Sequence, residues 1–325
     1  MEIVVSHKSA LEYWRLHRKI EIDDSARQRR KTLPTSIPSL AILRDTVPDG
    51  FSFPINLMVG SPEARRKSNS VRSHIYTAPI PDWCFIRIGN GISVSAPAFC
   101  FFQMASELPL ANLIELGLEL CGTYSLPVIG EHDAVINQTP EAVHEDFYNH
   151  PLLTDTYELR AHASRMKGVS GQKKVSRALR YIADGSASPM ETILFMLLTL
   201  PYKLGGYGLP QPQLNRRIDC GKASLQGLSK AYYKCDLYWP KAKLAVEYDS
   251  DQYHTGAARI ADDSKKRLDL AALGIDVVTV TGWQLRNIVE FEKLARLIAR
   301  KLGREFRYKR PQFYKARNEL RKLLL

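Results

Sequence analysis

Two strand-like runs separated by a proline turn constrain this chain more than any other feature. Tyr232–Trp239 and 243–249 (Lys-Leu-Ala-Val-Glu-Tyr-Asp) flank Pro240-Lys241-Ala242. A hairpin turning about Lys241 and Ala242 sets Asp236 opposite Glu247, with Cβ atoms ~5 Å apart. Asp249 lies two residues beyond Glu247 and shares its face, while Leu244, Val246 and Tyr248 take the other. Three carboxylates on one patch repel one another and raise at least one pKa. That face is destabilising unless a cation fills it. Oxygen-only ligands select a hard ion, Mg²⁺ or else Mn²⁺. The competing reading is a hairpin with a solvated acidic face, and a register slip of one residue would break up the cluster.

The elements around the hairpin follow an α-β-β-α-β-α order. Val175, Leu179 and Ile182 form one helical stripe from Gln172, ended near Gly185. Ser188-Pro189-Met190-Glu191 opens an apolar helix through Leu200. After the hairpin come a helix over 257–273, a β-branched strand over 275–281 and a helix over 284–302. This order predicts an α/β domain with a mixed sheet flanked by helices.

Asp236, Trp239-Pro240, Val246-Glu247, Asp249 and His254 together resemble the PD-(D/E)XK nuclease superfamily. Within it they are most similar to the branch of very-short-patch-repair endonucleases, which carries D-x-x-W-P…V-E-x-D-x-x-x-x-H. Asp263, Lys266-Arg267, Leu270, Leu273-Gly274 and the strand Val277–Thr281 continue the likeness. Upstream, Ser188-Pro189-x-Glu191 and Leu209-Pro210-x-Pro212-x-x-Asn215 match the lead into the first core strand. The similarity covers roughly residues 170–303. It implies a restriction-endonuclease-like core that hydrolyses DNA phosphodiesters with Mg²⁺ (or Mn²⁺). Asp236 and Glu247 would be metal ligands, and Asp249 a further ligand or the holder of a metal-bound water. His254 would accept the water's proton, and Glu191 would assist near the metal. Ser188-x-x-Glu191 is equally a capping box with proline at the first helical position. Lys266 and Arg267 would contact phosphate or lie on a solvated face. One departure stands out. Superfamily members often carry lysine two residues after the second acid, and this chain has Asp249. His254, Lys266 or the metal must then activate the water, or the fold is catalytically inactive.

Charge points the same way. The chain is +12 overall. Residues 160–184 carry seven basic side chains and one acid, giving +6; residues 301–325 carry nine and two, giving +7. Basicity focused in two segments attracts polyanions, and Lys173, Lys174 and Arg177 are the expected contacts to nucleic-acid backbone. The plain alternative is two solvated helix faces.

The first ~130 residues read as mixed and strand-rich. Short strands are expected at 53–59, 74–77, 85–88 and 92–94, with a hairpin turn at Gly89-Asn90-Gly91 and helices over 97–105 and 111–120. Ser6-His7-x-Ser9-Ala10 and Val94-Ser95-x-Pro97 resemble the domain preceding such nuclease modules in bacterial proteins, some of them antitoxin-like. The expected organisation is therefore an N-terminal mixed α/β domain over 1–165 that positions substrate or partner, a nuclease domain over 166–305 and a basic segment over 306–325. The alternative function is an inactive, antitoxin-like nucleic-acid-binding regulator. Five scattered cysteines form no metal-ligand pair. The longest apolar run, Ile193–Leu200, is far short of the ~20 residues that span a bilayer. With no signal peptide in view, the expected location is the cytoplasm, with DNA as partner and no membrane association.

Overall fold

Short apolar runs close to the N-terminus set the first sheet. Ile3–Val5 (β1) is buried throughout and lies inside a six-stranded mixed sheet of order β2-β5-β6-β1-β3-β4. Its partners are β2 (Arg27–Gln28), β3 (Ile55–Val59), β4 (Val71–Ile75), β5 (Phe85–Gly89) and β6 (Ile92–Ser95). β1 runs parallel to β6 and antiparallel to β3. The β5–β6 hairpin turns where sequence places it, because Gly89, Asn90 and Gly91 all adopt positive φ, which glycine and asparagine tolerate best. The computed structural model describes residues 2–18, 24–48, 50–128, 147–220, 230–249, 257–306 and 311–325. His254 lies outside the described residues.

Helices α1 (His7–Leu16), α2 (Leu40–Thr46), α3 (Pro97–Met104), α4 (Leu110–Leu120), α5 (Thr156–Arg165) and α6 (Gln172–Ala178) complete this part of the chain. Contacts divide the molecule into two compact units, Met1–Ile182 and Ala183–Leu325. The first reaches past residue 165 because α6 packs on α4 and α5, burying Val175 and Ala178. Ile182 of the same unit packs against α4: a β-carbon at Gly117 would fall 2.2 Å from its Cδ1. Lys173, Lys174 and Arg177 therefore belong to the N-terminal unit. Lys173 and Arg177 are exposed, and Lys174 Nζ donates to the Leu108 carbonyl at 3.1 Å.

The second unit is built on a four-stranded sheet of order β10-β9-β8-β7. Its strands are β7 (Gln213–Asp219), β8 (Tyr232–Trp239), β9 (Leu244–Asp249) and β10 (Asp276–Thr281). β7, β8 and β9 are antiparallel; β10 joins β9 in parallel. That parallel step requires a crossover, supplied by α8 (Ala257–Ala272). Leu270 of α8 packs with Tyr233, Cys235, Ala245 and Ile275. Ala245 and Val246 point to opposite faces, so α8 covers one face and α7 (Pro189–Thr199), which packs on β8 and β9, covers the other. The helix α7 is apolar all round, with Ile193–Leu198 buried.

The helix expected over 284–302 is two helices, α9 (Gly282–Arg286) and α10 (Ile288–Lys301). Asn287 causes the break: its Oδ1 accepts from Val289 N at 3.0 Å and Glu290 N at 3.1 Å, an N-cap that competes with continuation. The basic tail is also more than a charged segment. Pro311–Leu324 forms α11 and buries Phe313, Leu320 and Leu324. Arg321 Nη2 donates to the Leu285 and Arg286 carbonyls at 2.7 Å, and Arg317 pairs with Glu292 at 2.8 Å. Arg317 and Arg321 therefore hold the fold, so a solvent-facing array over 301–325 is corrected to one with these two turned inward. Mixed α and β structure is as expected. No helix among the described residues is long and apolar enough to cross a membrane.

Candidate functional site

The hairpin has the register read from its turn. Pro240–Ala242 forms a single helical turn, and Lys243 at φ +48 closes it. Leu237 pairs with Val246, Tyr238 with Ala245 and Trp239 with Leu244. The next pair in that register is Asp236 and Glu247, where the ladder stops. Asp236 Oδ2 instead accepts from the Tyr248 amide at 2.8 Å. On the other flank, Leu214 pairs with Leu237 and Arg216 with Cys235, skipping Asn215 and Asp236. Asn215 sits at φ +45, a left-handed conformation that asparagine adopts more readily than most residues. Both neighbours thus leave the ladder at Asp236 and free its carboxylate from the sheet.

Three carboxylates meet there. Burial first, then the charges of Glu247 and Glu191, hold Asp236 well above the usual carboxylate range, with the Tyr248 amide and Lys266 opposing. Glu191 is buried and also raised, by burial first and with Glu247 contributing. Its own oxygens are satisfied. Oε1 accepts from Ser188 Oγ at 3.0 Å, and Oε2 accepts from Ala187 N at 3.0 Å and Asn215 Nδ2 at 2.6 Å. Ser188 Oγ accepts in turn from Glu191 N at 3.1 Å. Glu191 therefore braces the Ser188 N-cap and also lies within electrostatic range of both hairpin acids.

Lys266 answers this negative charge from α8. Its Nζ lies 2.7 Å from Glu247 Oε2. Burial pulls the ammonium pKa down, but Glu247, and behind it Asp236, outweigh burial and leave it raised. Of the two expected phosphate contacts, Lys266 turns inward onto Glu247, whereas Arg267 beside it is exposed. Glu247 Oε1 is buried without a hydrogen-bond partner. The Cys235 thiol lies alongside this carboxylate; burial, then Glu247, pushes the thiol up. A buried, unpartnered carboxylate oxygen beside two further acids suits a hard cation.

Asp249 ends β9, paired with Thr281 of β10, and among the described residues its side chain has no hydrogen bond or ion pair. No three of Asp236, Glu247, Asp249 and Glu191 bring ligand atoms within 4.8 Å of one another; among the described residues the group that does is His7, His74 and Glu107. Two contributors were not singled out in sequence. Sequence places Asn215 only in the lead into a strand and counts Cys235 only among five cysteines without metal-ligand spacing. The usable sign for Asn215 is its residue type, rare within a strand unless φ is positive.

Replacing Asn215 tests this support directly. Asn215→Ala removes the Nδ2 bonds to Glu191 and to the Gly185 carbonyl and puts at positive φ a residue that tolerates it less well than asparagine, so the second unit should lose about 1–3 kcal/mol. Asn215→Gly removes the same two bonds but suits the positive φ and should lose less. Urea unfolding of both variants separates the two contributions; equal losses would mean that backbone strain plays no part.

No family model matches the chain, and no solved structure matches it. Two uncharacterised proteins of Mycobacterium tuberculosis, MT2308 of strain CDC 1551 and Rv2248 of strain H37Rv, are each 32% identical over 130 residues. That stretch is 40% of this chain and 42% of theirs, so the match spans about two fifths of the length of these relatives.

Proposed function

We propose that this protein is a Mg²⁺-dependent DNA endonuclease of the PD-(D/E)XK type, closest in its residue pattern to the very-short-patch-repair branch. The observation that carries the reading is Glu247, opposite Asp236 in register, with one oxygen buried and unpartnered. Asp236 and Glu247 would hold the ion, with Glu191 near them. A bound Mg²⁺ supplies charge stabilisation at the scissile phosphate and a more acidic water. The chain's own groups do the rest. The Tyr248 amide and the kink at Asn215 orient Asp236. Lys266 is protonated through the neutral range and cannot be a base; it donates hydrogen bonds and offsets charge that develops on phosphate. Lys173 and Arg177 provide exposed positive charge for the DNA backbone.

Cleavage of plasmid and single-stranded DNA with Mg²⁺, with Mn²⁺ and with EDTA tests the proposal. Cutting with either ion and none in EDTA is expected; no cutting with any ion would favour the inactive, nucleic-acid-binding alternative. A specific observation keeps that alternative in view: Lys266 already neutralises Glu247 without a metal.

Neutralising Lys173 and Arg177 together should weaken binding equally for unrelated sequences. The slope of log K against log salt on duplex DNA should become shallower by up to ~1.8, at ~0.9 per lost contact. An unchanged slope, measured by fluorescence anisotropy across a salt series, would assign that face of α6 to solvent.

A further inference from the structure

The N-terminal unit holds a second constellation, far in sequence from the hairpin. His7 opens α1 at φ +50 and is 7% exposed. Its ring stacks on that of His74 in β4, with centroids 3.5 Å apart and planes 14° from parallel. One ligand atom from each of His7, His74 and Glu107 lies within 4.8 Å of the other two.

Hydrogen bonds around the rings fix which nitrogen is available. Asn56 Nδ2 donates to Ser9 Oγ at 3.3 Å and the Pro54 carbonyl at 3.4 Å. That sets the amide orientation, so Asn56 Oδ1, 2.9 Å from His74 Nε2, is an acceptor. His74 therefore donates from Nε2 and carries its lone pair on Nδ1. His7 Nδ1 lies 3.0 Å from Ser6 Oγ, which leaves Nε2 for a ligand. The His7 amide is held by Gln103 Oε1 at 3.0 Å. An imidazole whose second nitrogen is bound to an oxygen is the usual support for a metal-ligating histidine.

Both rings are neutral at pH 7, the form that ligates metals. Burial, then His74 and Arg72, draws His7 down to about 2, and burial, then Arg72, draws His74 down to about 4. Glu107 is exposed, which opens the group to solvent and gives an ion a way in. Two nitrogens and one carboxylate oxygen suit a borderline transition ion better than Mg²⁺.

We propose that His7, His74 and Glu107 bind a divalent transition ion of the Zn²⁺ class, with three protein ligands and a position left open to solvent. The stacked rings face one another, so binding turns at least one imidazole edge toward the ion. This site is independent of the hairpin acids.

The full-length protein, stripped with chelator and titrated with Co²⁺ and then Zn²⁺, tests the assignment. Co²⁺ should give the visible absorption of a nitrogen-ligated ion, and Zn²⁺ should displace it. The signal should persist in Asp236→Asn, which keeps the hairpin acids out of the readout. His74→Ala should abolish it, and Glu107→Gln, on the surface, should weaken Zn²⁺ affinity by ~10-fold or more. Circular dichroism shows whether each variant is folded; if His74→Ala is not, Glu107→Gln decides. The assignment is overturned if a folded variant of either kind binds Zn²⁺ as tightly as the parent, or if the parent retains none at micromolar free metal.

Discussion

Asp236→Asn protein should fold at least as well as the parent, Glu247→Gln protein should be less stable because it leaves Lys266 without its 2.7 Å partner, and both should fail to cut DNA. The asparagine can still accept the Tyr248 amide bond that Asp236 makes at 2.8 Å, so the kink survives while a repelling charge disappears. Loss of a metal ligand forfeits several kcal/mol of transition-state stabilisation, or about 10³-fold or more in rate. Stability carries a sign that distinguishes this from a merely damaged fold. The folded-state pKa of Asp236 is raised. Its contribution to stability is therefore fully present below the unfolded carboxylate value, ~3.9, and is lost as pH rises through the folded value. In metal-free buffer Asp236→Asn should match the parent near pH 3 and exceed it in stability at pH 8. Mg²⁺ should raise the parent's melting temperature, because a ligand bound only to the folded state stabilises it, and should leave the variant's nearly unchanged. Mg²⁺-dependent cleavage within tenfold of the parent by either variant would remove these acids from the reaction.

Lys266→Met should lower kcat by about 10²–10³-fold while DNA affinity holds. The size follows from removing one fixed positive donor at a site of developing charge. It separates two roles for this side chain. A phosphate contact made in the ground state would raise KM and flatten the salt dependence; a charge acting in the transition state lowers kcat and leaves both alone. Lys266→Arg should recover part of the rate by keeping the charge in a different geometry. Metal-free Lys266→Met should also lose about 1–3 kcal/mol, because Glu247 keeps its half-buried place without its cation. A change in KM with kcat intact, from single-turnover and steady-state cleavage, would return Lys266 to the DNA-contacting face.

Local chemistry was legible in the sequence and tertiary phase was not. The hairpin register could be read because Pro240 and the alternation on either side leave few ways to pair. The Gly89-Asn90-Gly91 turn was legible for the same reason. The pairing of Lys266 with Glu247 was hidden, since it depends on how far α8 rotates as it crosses the sheet. The break at Asn287 was masked by an amphipathic pattern that runs on through it. Charge in the last twenty-five residues obscured Phe313, Leu320 and Leu324, whose spacing marks one helical stripe. His7, His74 and Glu107 are gathered only by the topology of the first sheet, and no local pattern could have joined them.

The route by which Lys266 arrives has a kinetic consequence. β8 and β9 close across the short turn at Pro240–Ala242, whereas β9 and β10 meet only after residues 250–275 have been looped out. Short closures are faster and entropically easier than long ones. The hairpin can therefore set Asp236 against Glu247 before α8 brings a cation to them, so their repulsion falls on the climb to the transition state. Refolding of the metal-free protein should accelerate in Asp236→Asn, with the unfolding arm of the chevron moving less. Stopped-flow measurements in which only the unfolding arm shifts would place the hairpin after the crossover.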